Sequence, residues 1–134
     1  IWSRLVGSEM CIRDSKYGTI NLEVLNEEET EYSDKELGFE RVKGNFRKVF
    51  LKAQKNIVYA ESFFSSKVYK KFPKFKRLAN EPLGKYLFNN PLISKKETYV
   101  AKYSLGNNKY LGRKCIYDLD GESFFVVEVF LFHE

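Results

Sequence analysis

The hydrophobic positions of the C-terminal segment Glu122–Phe132 fall on both faces of a predicted strand. One face carries Phe124, Val126, Phe130 and Phe132, and the other carries Phe125, Val127, Val129 and Leu131. A strand that is apolar on both faces is typical of a central position in a sheet. Glu128 interrupts the first of these rows, and an unpaired carboxylate there would cost several kcal/mol or have a raised pKa. The pattern therefore predicts that Glu128 meets either a cation or a ligand.

Alternating apolar and polar positions predict five further strands upstream. They are Tyr17–Leu25, Phe46–Ala53, Ile57–Phe64, Thr98–Leu105 and Tyr110–Leu119. Polar turns separate several of them, and Asp120-Gly121 is the signature of a tight hairpin into the last strand. The acidic stretch Asn26–Asp34 has no apolar rhythm, so it is predicted to be a solvated loop. An acidic metal site is the alternative, but consecutive glutamates without histidine are a poor ligand set.

A basic, aromatic segment lies between the third and fourth strands. Ser65-Ser66 can cap a short helix, and Pro73 should break any long one. In Lys67–Asn80 the apolar side chains of Val68, Phe72, Phe75 and Leu78 are spaced to cover the sheet, with lysines facing water. The same mixture of lysines and aromatics would also suit nucleic-acid binding.

A second short helix is predicted after Pro82, with Asn80 as its cap. The elements together predict an α+β fold. It consists of a single antiparallel β-sheet of about six strands with short helices packed on one side.

Composition fits one folded domain. The chain has 134 residues, of which 43% are hydrophobic and 16% aromatic, and a net charge of +5, which suits an anionic small molecule. No apolar run is long enough to span a bilayer. Two cysteines, Cys11 and Cys115, are too few for a disulfide framework or a zinc site, and His133 is the single histidine. We therefore expect a cytoplasmic protein that uses no metal.

The opening residues resemble something other than a folded segment. Val6–Asp14 is similar to translated sequencing-adapter read-through, and residues 1–15 have no start methionine and no clear period. We expect residues 1–15 to be non-native and residues 16–134 to form the domain. A natural helical N-terminus is the alternative.

Arg47 and Glu128 are the two charged residues predicted to face the interior. Each occupies an inward position on a strand flanked by large apolar residues. The planar fork of an arginine guanidinium matches a carboxylate. The pattern leaves two interpretations open: the residues form a ligand site, or they are structural, paired with each other or wet at strand ends.

The segment Pro82–Phe88 resembles the Pro-Leu-Gly-basic-aromatic-Leu-Phe signature of the chorismate pyruvate-lyase family. Arg47–Leu51, Gly112–Lys114, Asp120-Gly121 and Glu128–Leu131 are similar to further family segments in the same order. The resemblance runs from about Tyr17 to Leu131. It implies elimination of pyruvate from chorismate to give 4-hydroxybenzoate, at the start of ubiquinone synthesis, inside an antiparallel sheet with an internal cavity.

The resemblance also implies roles for particular residues. Arg47 would hold the ring carboxylate, and the helix start at Leu83 and Gly84 would add a backbone N–H anchor to it. Glu128 would contact the ring oxygen and assist proton transfer. The implied enzyme needs no cofactor and binds chorismate, and we expect a monomer that binds no nucleic acid.

The chain departs from the family pattern at three places. The family's opening helical segment, which forms part of the cavity wall, is absent, so we expect this chain to have low stability or no activity. Glu61-Ser62 replaces arginine and threonine, and Phe132 replaces a proline. Two other hypotheses remain: a non-catalytic, small-molecule-sensing UTRA-like effector-binding domain of a transcription regulator, and an RNA-contacting module centred on Lys67–Arg77.

Overall fold

The computed structural model describes residues 20–53, 56–79, 81, 83–87 and 90–132. Its elements in chain order are β1 (Ile20–Asp34), β2 (Phe39–Ala53), β3 (Asn56–Ser65), α1 (Ser66–Lys71), a 3-10 helix (Pro73–Lys76), α2 (Gly84–Leu87), β4 (Ile93–Leu105), β5 (Asn108–Leu119) and β6 (Glu122–Phe130). The predicted strand start at Tyr17, the helix positions Asn80 and Pro82, and the proposed non-native residues 1–15 lie outside the described residues.

The strands form one antiparallel sheet in the order β1-β2-β3-β6-β5-β4. β6 lies between β3 and β5, which confirms the central position predicted from its two apolar faces. Asp120 and Gly121 have positive φ angles of 49° and 94°, as a tight hairpin turn with the right twist requires. The sheet dominates the fold, and the helices are short.

The loop predicted over Asn26–Asp34 is wrong, because β1 continues through it. The strand bulges between Val24 and Asn26 and then pairs with an extended β2 that begins at Phe39 rather than Phe46. Alternation was missing because most side chains of this edge segment are exposed whichever way they point. Two of its glutamates lie opposite basic residues of β2, Glu27 opposite Arg47 and Glu31 opposite Lys43, and such pairs favour the register.

The helical segment packs on one face of the sheet, as predicted. Ser65 caps α1 by accepting a hydrogen bond from the Val68 N–H at 3.3 Å. Val68, Phe75 and Leu78 are fully buried, and the Phe75 ring centroid lies 4.7 Å from that of Phe64. The amphipathic interpretation of Lys67–Asn80 is thereby confirmed for its described residues.

The opposite face of the sheet has a second core. Phe63 and Phe125 are buried there under the end of the β1–β2 hairpin, where Tyr32 lies 5.2 and 5.5 Å from their ring centroids. An ion pair between Asp34 and Lys114 ties the hairpin to β5. Both faces of the central strands are therefore covered, which explains why β6 carries no polar face.

Candidate functional site

A narrow cavity lies between the helical face of the sheet and the segment around α2. It has a volume of about 40 Å³. All four residues predicted to form the site line it: Arg47, Leu83, Gly84 and Glu128. Most of the remaining wall is apolar, namely Leu22, Val49, Leu51, Ala60, Leu87 and Val126.

Strand register explains why Arg47 and Glu128 reach the same cavity. Arg47 lies opposite Ser62, which lies opposite Val126, so these three side chains share a face. Glu128 is two residues beyond Val126 and therefore also points to that face. Two strand spacings and two residue rises separate the two Cα atoms by roughly 12 Å. A cation and an acid therefore stand at different points along one apolar chamber.

Arg47 is a buried cation whose donors are only partly used. The residue is 2% exposed. Its Nη2 donates to the backbone carbonyls of Ala79 and Glu81 at 2.9 and 3.0 Å. The buried Nε has no hydrogen-bond partner in the described part of the chain. Burial lowers the pKa of the guanidinium, and the charge of Glu27 partly opposes this. A buried donor without an acceptor is costly, so the arrangement favours an anionic ligand.

Glu128 is the acid of the cavity, and it is 4% exposed. Burial raises the pKa of its carboxyl to about 7, against the lowering effects of Arg113 and Lys95. At neutral pH the carboxyl is therefore present in both protonation states. That property is what a group needs if it is to accept and return a proton near pH 7.

Arg47 and Glu128 have different partners. The Nε of Arg113 lies 3.1 Å from Oε1 of Glu128, whereas Arg47 donates to the backbone carbonyls of Ala79 and Glu81. The structural alternative, in which the two residues neutralise each other in the core, is therefore not what the structure shows. Both charges face the same cavity instead.

Sequence reasoning missed three residues of this region. Ser62 and Tyr117 are each 4% exposed and line the cavity, and Arg113 holds Glu128. Burial raises the pKa of the Tyr117 phenol, and the nearby Cys115 and Glu128 reinforce this, so Tyr117 is a neutral hydroxyl at the wall. A signal for Arg113 was present: the two-residue turn at Asp120-Gly121 places it directly opposite Glu128.

Leu83 and Gly84 lie at the start of α2 and line the cavity. Leu83 is 9% exposed, and its carbonyl accepts from the N–H groups of Tyr86 and Leu87 at 2.9 and 3.3 Å, which forms the single turn of α2. The side chains of Leu83 and Leu87 thus form part of the apolar wall of the cavity that Arg47, Ser62 and Glu128 also line.

Other chemistries find no support among the described residues. No group of three or more His, Cys, Asp or Glu side chains in those ranges could hold a metal ion. Cys115 is a free, fully buried thiol, and His133 lies outside the described residues. In the parts of the chain that the structure covers, no helix has the length and apolarity to cross a membrane.

Comparison with known proteins gives a consistent result. A family model described as "Chorismate lyase" matches residues 6–134. A protein of Pseudoalteromonas translucida (strain TAC 125), described as "Probable chorismate pyruvate-lyase", is 27% identical in an alignment that covers 87% of this chain and 74% of that protein. Because the family model extends over nearly the whole sequence, including the strands that carry Arg47 and Glu128, the chain belongs to the chorismate lyase family.

Proposed function

We propose that the cavity binds chorismate and eliminates pyruvate from it, leaving 4-hydroxybenzoate, as the first committed step towards ubiquinone. The observation that carries the proposal is the placement of buried Arg47 and buried Glu128 in one apolar cavity, roughly 12 Å apart at their Cα atoms. A flat ring with a carboxylate at one end and an oxygen at the other could contact both.

The reaction requires little from the protein beyond orientation and dryness. The ether C–O bond to the ring breaks, the neighbouring ring carbon gives up a proton, and enolpyruvate leaves with the bonding electrons. Proton uptake then converts enolpyruvate to pyruvate. The ring becomes aromatic, which drives the elimination, so the protein has to hold a dianion in position and exclude water.

Arg47 is assigned to the ring carboxylate. Its unpaired Nε and its Nη2, now directed at two carbonyls, provide donors in the fork geometry that a carboxylate accepts. The helix start at Leu83 and Gly84, which lines the same cavity, would add a backbone N–H to this anchor. Glu128 is assigned to the ring oxygen and to proton transfer, for which its pKa of about 7 is suitable.

The volume of the cavity has a consequence for binding. About 40 Å³ is much less than the roughly 150 Å³ of an engineered cavity that holds benzene. A ring can therefore enter only if one wall moves. The segment that bears Ala79 and Glu81 is the mobile candidate, because a ligand carboxylate would compete with those two carbonyls for Arg47. Substrate binding and displacement of the segment with Ala79 and Glu81 are thus linked through the Arg47 guanidinium.

The test compares Arg47→Met with Arg41→Met, a matched change of an arginine whose side chain is 80% exposed. Binding of 4-hydroxybenzoate is measured by calorimetry, and pyruvate release from chorismate by a coupled lactate dehydrogenase assay. We expect Arg47→Met to weaken binding by about 30-fold or more, since loss of one partner of a buried charge pair costs about 2 kcal/mol or more. Arg41→Met should bind normally.

The two assays also separate the enzyme from a sensor. Binding of 4-hydroxybenzoate through Arg47 without any pyruvate release would favour the non-catalytic effector-binding alternative. Equal affinity of the two variants would show that the carboxylate does not bind at Arg47 and would remove the basis of the proposal.

A further inference from the structure

Arg113 contacts the proposed acid from the neighbouring strand. It lies directly opposite Glu128 in the β5–β6 register, and its Nε donates to Oε1 at 3.1 Å. The two side chains are 17% and 6% exposed, so the bond is shielded from competing water. A shielded charge-assisted bond of this kind restricts the carboxyl rotamer far more than an exposed ion pair would.

The geometry of the bond divides the two oxygens of Glu128. Arg113 engages Oε1, while the residue as a whole lines the cavity. Oε2 is thus the oxygen that remains for a ligand. Because this bond is present without substrate, it restricts the orientation of the Glu128 carboxyl before any ligand binds.

The other charged and titratable groups around Glu128 act more weakly. From β4, Lys95 also lowers the pKa of Glu128, but its effect is smaller than that of Arg113. From β5, Tyr117 has a raised pKa and is neutral, and from β2, Arg47 faces the same cavity. The β3 residues on this face, Ala60 and Ser62, have no titratable group.

We propose that Arg113 is the positioning residue of the site: it fixes the Glu128 carboxyl with Oε2 towards the substrate and keeps a fraction of it ionised at neutral pH. The proposal rests on the proposed function for the identity of the substrate. Its physical content, the control of the orientation and protonation of Glu128 by Arg113, does not depend on which ligand binds.

The first test is a titration without substrate. The chain is labelled with 13C at glutamate side-chain carboxyls, and the Glu128 signal is assigned by its disappearance in Glu128→Gln. The titration midpoint should lie near pH 7 in the original chain. Arg113→Met should raise it by about one pH unit or more, since a neighbouring cation lowers a carboxyl pKa by about 1–3 units. Lys95→Met, which removes the other cation, should raise it by less.

The second test separates position from charge. Arg113→Lys keeps the charge but loses the guanidinium fork, so the Glu128 midpoint should stay within about half a pH unit of the midpoint in the original chain. In the chorismate assay this variant should lose about tenfold or more in kcat with little change in KM, since small misplacements of a catalytic group are costly. In Arg113→Met, the acid limb of the kcat/KM profile should move upward together with the NMR midpoint.

The outcomes are distinguishable from those of the lyase proposal. A midpoint that rises in Arg113→Met shows that the charge of Arg113 acts on Glu128 even when no form of the chain releases pyruvate, and the kcat of Arg113→Lys tests the positioning. An unchanged midpoint in a folded Arg113→Met variant overturns it, as does an Arg113→Lys variant with full kcat. If Arg113→Met does not fold, Arg113→Gln provides the same comparison, because glutamine keeps an N–H donor group and removes the charge.

Discussion

The raised pKa of Glu128 makes a prediction about stability that needs no substrate. The carboxyl titrates near pH 7 in the folded chain and near its ordinary value of 4.5 in the unfolded chain. The folded state therefore holds the proton more tightly. The raised pKa therefore stabilises the folded state fully below about pH 4.5. This stabilisation is lost as the pH rises towards 7, and above pH 7 the stability no longer changes through this group.

The magnitude follows from the two pKa values. The difference is 7 − 4.5 = 2.5, and at about 1.4 kcal/mol per pKa unit this corresponds to about 3 kcal/mol once both states are ionised. Between pH 5 and pH 8 the change is about 2 kcal/mol or somewhat more, because part of the loss has already occurred at pH 5. This is a large fraction of the stability of a domain of this size.

The assay is urea unfolding of the original chain and of Glu128→Gln at pH 5, 6, 7 and 8. Glutamine keeps an oxygen that can accept from Arg113 but cannot ionise. We expect the Gln variant to gain about 2 kcal/mol or somewhat more relative to the original chain between pH 5 and pH 8. Other carboxyls are common to both chains, so their titration cancels in the difference.

Glu61→Gln is the matched control, since Glu61 lies on the other face of the sheet at the Tyr59 hydroxyl. Its difference from the original chain should not vary with pH in the same way. A Glu128→Gln difference that stays constant from pH 5 to pH 8 would refute the reasoning, because it would mean that the carboxyl is as well solvated in the folded chain as in the unfolded one.

Two further predictions concern the packing around the site. Gly112→Ala should lower the free energy of unfolding by about 1–3 kcal/mol in urea titrations, because the added Cβ would lie 2.8 Å from the Glu128 carbonyl and 2.5 Å from the Tyr103 ring. Adding Tyr103→Ala should restore only part of the lost stability. Full restoration would show that the contact with the Glu128 carbonyl is harmless. Phe75→Ala should lower the free energy of unfolding by about 3–5 kcal/mol in the same measurement, since Phe75 is fully buried against Phe64 and Phe124. A loss below about 1 kcal/mol, which is typical of a surface change, would mean that the 3-10 helix does not pack against this core.

Much of the sheet could be predicted because hydrophobic periodicity is strong in its central strands. The two-sided apolar pattern of β6 indicated a central strand, and the parity of Arg47 and Glu128 along their strands indicated the inward face. Periodicity failed in Asn26–Asp34, where an edge strand is held by backbone pairing and cross-strand charge rather than by burial. Edge strands lack the signal because neither of their faces has to be apolar.

The partner of Glu128 could have been predicted as well, but only through the turn. A two-residue hairpin fixes every opposite pair of its strands, so that Asp120-Gly121 determines the pairing of Arg113 with Glu128 seven residues to either side of the turn. The contacts of Arg47 with the carbonyls of Ala79 and Glu81 could not be predicted in this way. They join a strand to an irregular segment, and no periodic pattern specifies where such a segment lies.

The same register argument explains how the fold places two charges in a cavity that is otherwise apolar. Each charge is introduced by a strand whose neighbours on the same face are buried, and the burial of those neighbours holds it there: Val49 and Leu51 beside Arg47, Val126 and Phe130 beside Glu128. A slip of one residue in β2 would expose Val49 and Leu51 and bury Lys48 in their place, and a slip in β6 would move Glu128 to the opposite face of the sheet. Burial of these apolar neighbours therefore holds both charged residues in the cavity. There the Arg47 Nε has no hydrogen-bond partner in the described part of the chain, and the Glu128 carboxyl has a pKa of about 7.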